Sequence, residues 1–92
     1  MESYKILVIR FSSIGDIVLT TPIVRALKQQ LKNVEIHYLT KKTNYSLLQN
    51  NKYIDKIHLL EDADLLKKLR KNKFDYIVDL HNNIRTLKIK AM

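Results

Sequence analysis

Apolar and polar positions along the chain fall into two alternating rhythms. Residues 5–11, Lys-Ile-Leu-Val-Ile-Arg-Phe, hold a short unbroken apolar run, the pattern of a strand covered on both faces of a parallel sheet. A polar turn, Ser12-Ser13-Ile14-Gly15-Asp16, follows it. Helical spacing then begins. A short turn is predicted from Asp16, and a main helix from Pro22 that buries Ile23, Val24, Leu27 and Leu31, with Thr21 as its N-cap. Residues 34–40 alternate as a second strand. Residues 43–50 predict a short helix burying Leu47 and Leu48, stopped in the left-handed conformation at Asn50-Asn51.

The rhythm repeats twice more. Residues 54–60 read as a third strand, followed by a helix capped by Asp62 or Asp64 and turned inward through Leu65, Leu66 and Leu69. Residues 74–80 read as a fourth strand, and residues 84–92 as the start of another helix. Strands alternating with helices predict an α/β fold, a Rossmann-like parallel sheet of about four strands with helices on both faces. The expected strand order is 3-2-1-4, with Ile6, Val8, Ile77 and Leu80 among the central buried residues. The last apolar stretch carries no cap, glycine or polar tail, so residues 1–92 are expected to form an incomplete N-terminal domain. The fourth strand should then be an edge, open to self-association.

Composition narrows the chemistry. No apolar run approaches the ~18 residues of a membrane-spanning helix, and no signal peptide precedes the first strand, so a cytoplasmic protein is expected. The absence of cysteine excludes disulfides and thiol catalysis. A single glycine, Gly15, excludes the glycine-rich dinucleotide fingerprint and the P-loop. No His/Asp/Glu spacing suggests a metal site. The net charge of +8 is concentrated late: residues 67–92 hold eight Lys/Arg against Asp75 and Asp79. Such a surface is either plainly solvated or meets an anionic partner.

Ligands of open parallel sheets bind outside the carboxyl ends of the strands. Three segments qualify: residues 12–16, 40–42 and 79–85. In the first, Asp16 lies at a helix start, where its ionised form is favoured. It either caps that helix or acts as a general base toward a hydroxyl. In the last, His81 can hydrogen-bond a substrate or shuttle a proton. Arg85 offers a planar fork for phosphate or carboxylate, unless this segment merely caps the next helix. His37 and His58, within strands, are assigned no role.

The stretch from Lys5 to Leu27, with its order of strand, Ser-Ser-Ile-Gly-Asp, Thr-Pro and amphipathic helix, resembles the opening of glycosyltransferase family 9, the ADP-heptose:lipopolysaccharide heptosyltransferases. Ile36-His-Tyr-Leu-Thr and Phe74-Asp-Tyr-Ile-Val-Asp-Leu-His-Asn-Asn-Ile-Arg-Thr resemble later family segments. The resemblance implies a GT-B enzyme with two Rossmann-like domains and no cofactor. The N-terminal domain would bind a lipopolysaccharide core acceptor, an anionic glycolipid. The donor, ADP-heptose, would bind a C-terminal domain that residues 1–92 do not include. It also implies Asp16 as the base, with Ser12, Ser13, Gly15, His81 and Arg85 around the acceptor, and work at the cytoplasmic face of the inner membrane. The fragment alone is expected to be inactive.

Two other classes compete. A phosphoacceptor receiver would use Asp79 but needs acids where the chain has Arg10, Phe11 and Ser12. A basic nucleic-acid-binding module would need a recognition helix or stacking platform, and its binding would fall steeply with salt. The two Phe and five Tyr fall mostly in apparent core strands, so no nucleic-acid partner is expected, and a basic nucleic-acid-binding or other non-enzymatic α/β binding module stands as the alternative.

Overall fold

The computed structural model describes residues 3–80 and the backbone of Thr86–Ile89. Its strands are β1 (Tyr4–Ile9), β2 (Val34–Thr40), β3 (Lys56–Leu59), β4 (Tyr76–Asp79) and β5 (Thr86–Ile89). Its α-helices are α1 (Ile14–Leu19), α2 (Thr21–Gln30), α3 (Tyr45–Leu48, after a 3₁₀ turn at Lys42–Asn44) and α4 (Leu65–Asn72). The sheet order is β3-β2-β1-β4-β5. The first four strands are parallel, in the expected order. The chain leaves β1 toward β2 and β3, then returns to place β4 on the other side of β1. The topological switch point therefore lies between β1 and β4.

Strand alternation divides the core between two faces. Ile6, Val8, Ile36 and Tyr38 pack with Ile17, Val24 and Leu48, while Leu7, Leu39 and Phe74 pack with Leu65 and Leu69 of α4. Ile6 and Val8 are buried as expected, whereas Ile77 and Leu80 are only partly so. Two aspartates fix the starts of strands by the same device. Asp55 accepts the Ile36 N–H at 2.7 Å and donates its own N–H to the Ile36 carbonyl at 2.8 Å. Asp75 treats Lys5 likewise, at 2.8 and 2.9 Å. A carboxylate standing one residue before or at a strand thus satisfies the neighbouring strand's end, where ladder bonds run out.

Several sequence expectations are corrected. Residues 86–89 form a strand antiparallel to β4, so the expected helix from residue 84 is absent there and β4 is not an edge. Thr-Leu-Lys-Ile alternates with period two, and pairing with β4 decides a segment too short for its own pattern to do so. Thr20, not Thr21, is the N-cap of α2. Its hydroxyl donates to the Ile17 carbonyl at 2.6 Å, which closes α1 as α2 opens. Leu66 is 70% exposed, because Leu65 and Leu69 lie one turn apart on the inner stripe and Leu66 is rotated away from it. On the same principle Leu48 is buried while Leu47, Ile23 and Leu31 stay exposed. Among the described residues the left-handed ones are Asn33 and Lys73 rather than Asn50 and Asn51. Asn51 instead turns the chain through its side-chain oxygen, which accepts the Tyr53 N–H at 2.8 Å.

Candidate active site

The loop from β1 to α1 emerges at the switch point, where an open sheet offers a crevice between diverging connections. Ser13 is the N-cap of α1, and Asp16 lies in its first turn. Asp16 Oδ2 accepts the Ser13 hydroxyl at 2.9 Å and the Arg10 guanidinium at 2.8 Å. The same guanidinium donates to the Leu80 carbonyl at the end of β4. Arg10 thus ties the exits of the two strands flanking the switch point and holds the Asp16 carboxylate over them. The Ser13 hydroxyl, then its backbone N–H, and also the Arg10 charge, keep the Asp16 carboxyl below its ordinary value of 3.8. The group is ionised at neutral pH and half exposed.

A cavity of about 530 Å³, a volume within the range of small-molecule sites, opens on the same loop, lined by the residues just before Asp16 and not by Asp16 itself. Phe11, Ser12, Ser13, Ile14 and Gly15 line one wall, and Lys41, Thr43 and Asn44 after β2 line the other. Asn44 is buried, and its amide donates to the Phe11 carbonyl at 2.9 Å and to the Thr40 hydroxyl at 3.1 Å. That amide locks the two loops together. A Cβ built on Gly15 meets no atom within 4 Å, so no packing in the described structure demands glycine there. Its small size leaves the backbone open to whatever enters the cavity.

Ser12, Ser13 and Gly15 line this cavity, Asp16 is hydrogen-bonded to Ser13, and the expected segment after β2 contributes through Lys41, joined by Thr43 and Asn44. His81 and Arg85 lie outside the described residues. Sequence reasoning missed Arg10 and Asn44 as members of the site, while Lys41 falls in the candidate segment 40–42. The available signal was Arg10 itself, a charge at the end of an apolar strand just before the polar turn. Among the described residues no group of three or more His, Cys, Asp or Glu is placed to hold a metal ion. No described helix is long and apolar enough to cross a membrane.

No protein-family model matches the chain. Among curated proteins, lipopolysaccharide heptosyltransferase 1 of Campylobacter coli is 29% identical over 90 residues, covering 89% of this chain and 26% of that protein. Among solved structures, the glycosyl transferase family 9 protein of Veillonella parvula DSM 2008 superposes with a TM-score of 0.76 at 21% identity, over 88% of this chain and 27% of the other. The likeness is to glycosyltransferase family 9. The ADP-heptose lipopolysaccharide heptosyltransferase II of E. coli gives a TM-score of 0.71 at 23% identity, over 82% of this chain and 24% of its own. Nearly the whole chain is similar to glycosyltransferases of this family, and it spans about a quarter of their length.

Proposed function

We propose that residues 1–92 are the acceptor-side, N-terminal part of a family 9 glycosyltransferase that transfers a heptose or similar sugar from a nucleotide sugar to a lipopolysaccharide core. The observation that carries this reading is the ionised, half-exposed Asp16, held by Ser13 and Arg10 at the switch point, on a loop whose residues 11–15 line a ligand-sized cavity. In the proposed step the Asp16 carboxylate takes the proton of an acceptor hydroxyl. The freed oxygen bonds to the anomeric carbon as that carbon's bond to the nucleotide diphosphate breaks. The diphosphate, ADP if the donor is ADP-heptose, leaves with the bonding electrons. A carboxylate of depressed pKa is a weak base toward an unperturbed alcohol, so transfer is concerted with attack, when the hydroxyl has become acidic. Lys41 on the opposite wall supplies a cation suited to an anionic acceptor. The donor would be held by a second domain outside these residues, and the chain alone would bind acceptor without turning it over.

The test is a titration of the 92-residue chain with a lipopolysaccharide core glycolipid, followed by backbone amide NMR. Saturable shifts centred on Ser12, Ser13, Gly15, Asp16 and Lys41, with no response to ADP-sugar, are expected. Shifts confined to other surfaces, or none at all, would refute acceptor binding at this loop.

A further inference from the structure

At the opposite ends of the strands, under α4, lies a second polar cavity of about 500 Å³. Lys5 from β1, Lys56 and His58 from β3, and Lys68, Lys71 and Asn72 from α4 line it. The nearby acids are already engaged. Asp62 takes Lys68 at 2.5 Å, Glu35 takes His37 at 2.5 Å, and Asp55 and Asp75 hold the backbone N–H groups of Ile36 and Lys5. Lys56 and Lys71 have no acid partner among the described residues. Like charges gathered in a concave site repel one another unless an anion joins them.

The floor of this cavity is a buried relay. His37 and His58 stack with ring centres 5.0 Å apart, and His37 Nδ1 lies 2.7 Å from His58 Nε2. His37 Nε2 faces the ionised Glu35, so it must donate. Burial lowers the pKa of both rings and keeps them neutral at pH 7. Neutral His37 therefore offers a bare Nδ1, and His58 Nε2 must donate to it. The tautomers are fixed along the line, and His58 Nδ1 is left as a bare acceptor with no partner among the described residues. Lysines present point charges to phosphate oxygens, while a bare imidazole nitrogen accepts from a phosphate O–H or takes up a proton.

We propose that this cavity binds a phosphate or diphosphate group, clamped by Lys5, Lys56 and Lys71, with His58 Nδ1 accepting a hydrogen bond from a protonated oxygen of the bound group. The site is independent of the Asp16 loop, which opens at the other ends of the strands. Its ligand is either a soluble phosphorylated molecule or the headgroup of an anionic lipid, and the two sources separate experimentally.

Inorganic pyrophosphate is titrated into the 92-residue chain while side-chain nitrogen NMR follows His58. In parallel, vesicles of phosphatidylcholine with and without phosphatidylglycerol are tested for recruitment. Saturable pyrophosphate binding is expected, with the His58 Nδ1 signal moving from the bare toward the hydrogen-bonded position. The exposed pair Lys56→Gln and Lys71→Gln together should weaken binding by about tenfold or more, with an unchanged circular dichroism spectrum. Pyrophosphate binding without vesicle recruitment assigns a soluble ligand. Recruitment only by phosphatidylglycerol vesicles, competed off by pyrophosphate, assigns a headgroup. Absence of saturable binding, a static His58 signal, or binding that the double variant leaves intact would overturn the proposal.

Discussion

Thr20 and Tyr38 make the joint that fastens α1 to the sheet, and their hydroxyls should respond unequally to deletion. Both residues are buried, and their oxygens lie 2.7 Å apart. The single Thr20 hydroxyl proton goes to the Ile17 carbonyl at 2.6 Å, so Tyr38 must be the donor to Thr20. Tyr38→Phe removes that donor and leaves the Thr20 bond to Ile17 standing. Its cost is that of an ordinary hydrogen bond, about 0.5–1.5 kcal/mol. Thr20→Val keeps the shape but strands the buried Tyr38 O–H, at about 1–3 kcal/mol. The Thr20 side chain makes no capping bond to α2, so no cap energy is lost with it. The double variant removes the stranded group and should cost less than the sum of the singles. Urea melts followed by circular dichroism measure all three, and each kcal/mol should move Tm by about 4–8 °C in a domain of this size. A larger loss for Tyr38→Phe than for Thr20→Val, or strict additivity, would refute this assignment of donor and acceptor.

Two further outcomes follow from the same structure. Gly15→Ala places a methyl in open space within a helical turn, so stability should rise by about 0.5–1 kcal/mol. Glycolipid acceptor binding should nevertheless weaken, and unaltered binding in the Ala variant would remove Gly15 from the site. The His58 pKa falls from 6.5 unfolded to about 4 in the fold, chiefly through burial and then through its neighbour His37. The unfolded chain therefore binds the proton first, so this stability is complete above pH 6.5 and drains as pH falls toward 4. The slope should reach about 1.4 kcal/mol per pH unit for the one proton. His58→Gln should flatten that part of the profile, and a wild-type stability already flat there would contradict the buried neutral pair.

Fold class and strand order were legible because four β-branched runs alternate with helical periods, and a parallel sheet is then the natural closure. What escaped was decided by partners distant in sequence. Arg10 reads as a strand end until Leu80, seventy residues on, supplies its acceptor. His37 and His58 carry no recognisable spacing. They meet because β2 and β3 pair with His37 opposite Lys56 and Leu39 opposite His58, which brings both rings to the α4 face. The strand at residues 86–89 escaped for the same reason, since its pairing with β4 is a tertiary fact. Asp16 was legible as a candidate, yet its two competing roles were not separable in the sequence. The geometry shows that one Asp16 oxygen accepts both the Ser13 hydroxyl and the Arg10 guanidinium, so the local turn is accounted for and the proposed base role is left to the kinetic test.

The most direct measurement is therefore steady-state sugar transfer by a full-length enzyme carrying these residues as its N-terminal part, with Asp16→Asn and Asp16→Ala compared. Asn retains an oxygen that can accept the Ser13 hydroxyl, so the local turn and the thermal melt should be preserved. If Asp16 removes the acceptor proton, both variants should lose about 10²–10⁴-fold in kcat, with nucleotide-sugar binding unchanged. In the wild type, the acid limb of the rate profile should lie below the ordinary carboxyl value of 3.8, because Ser13 and Arg10 hold the carboxylate ionised. Near-normal turnover for Asn together with damage from Ala would contradict the account and leave Asp16 as a structural cap.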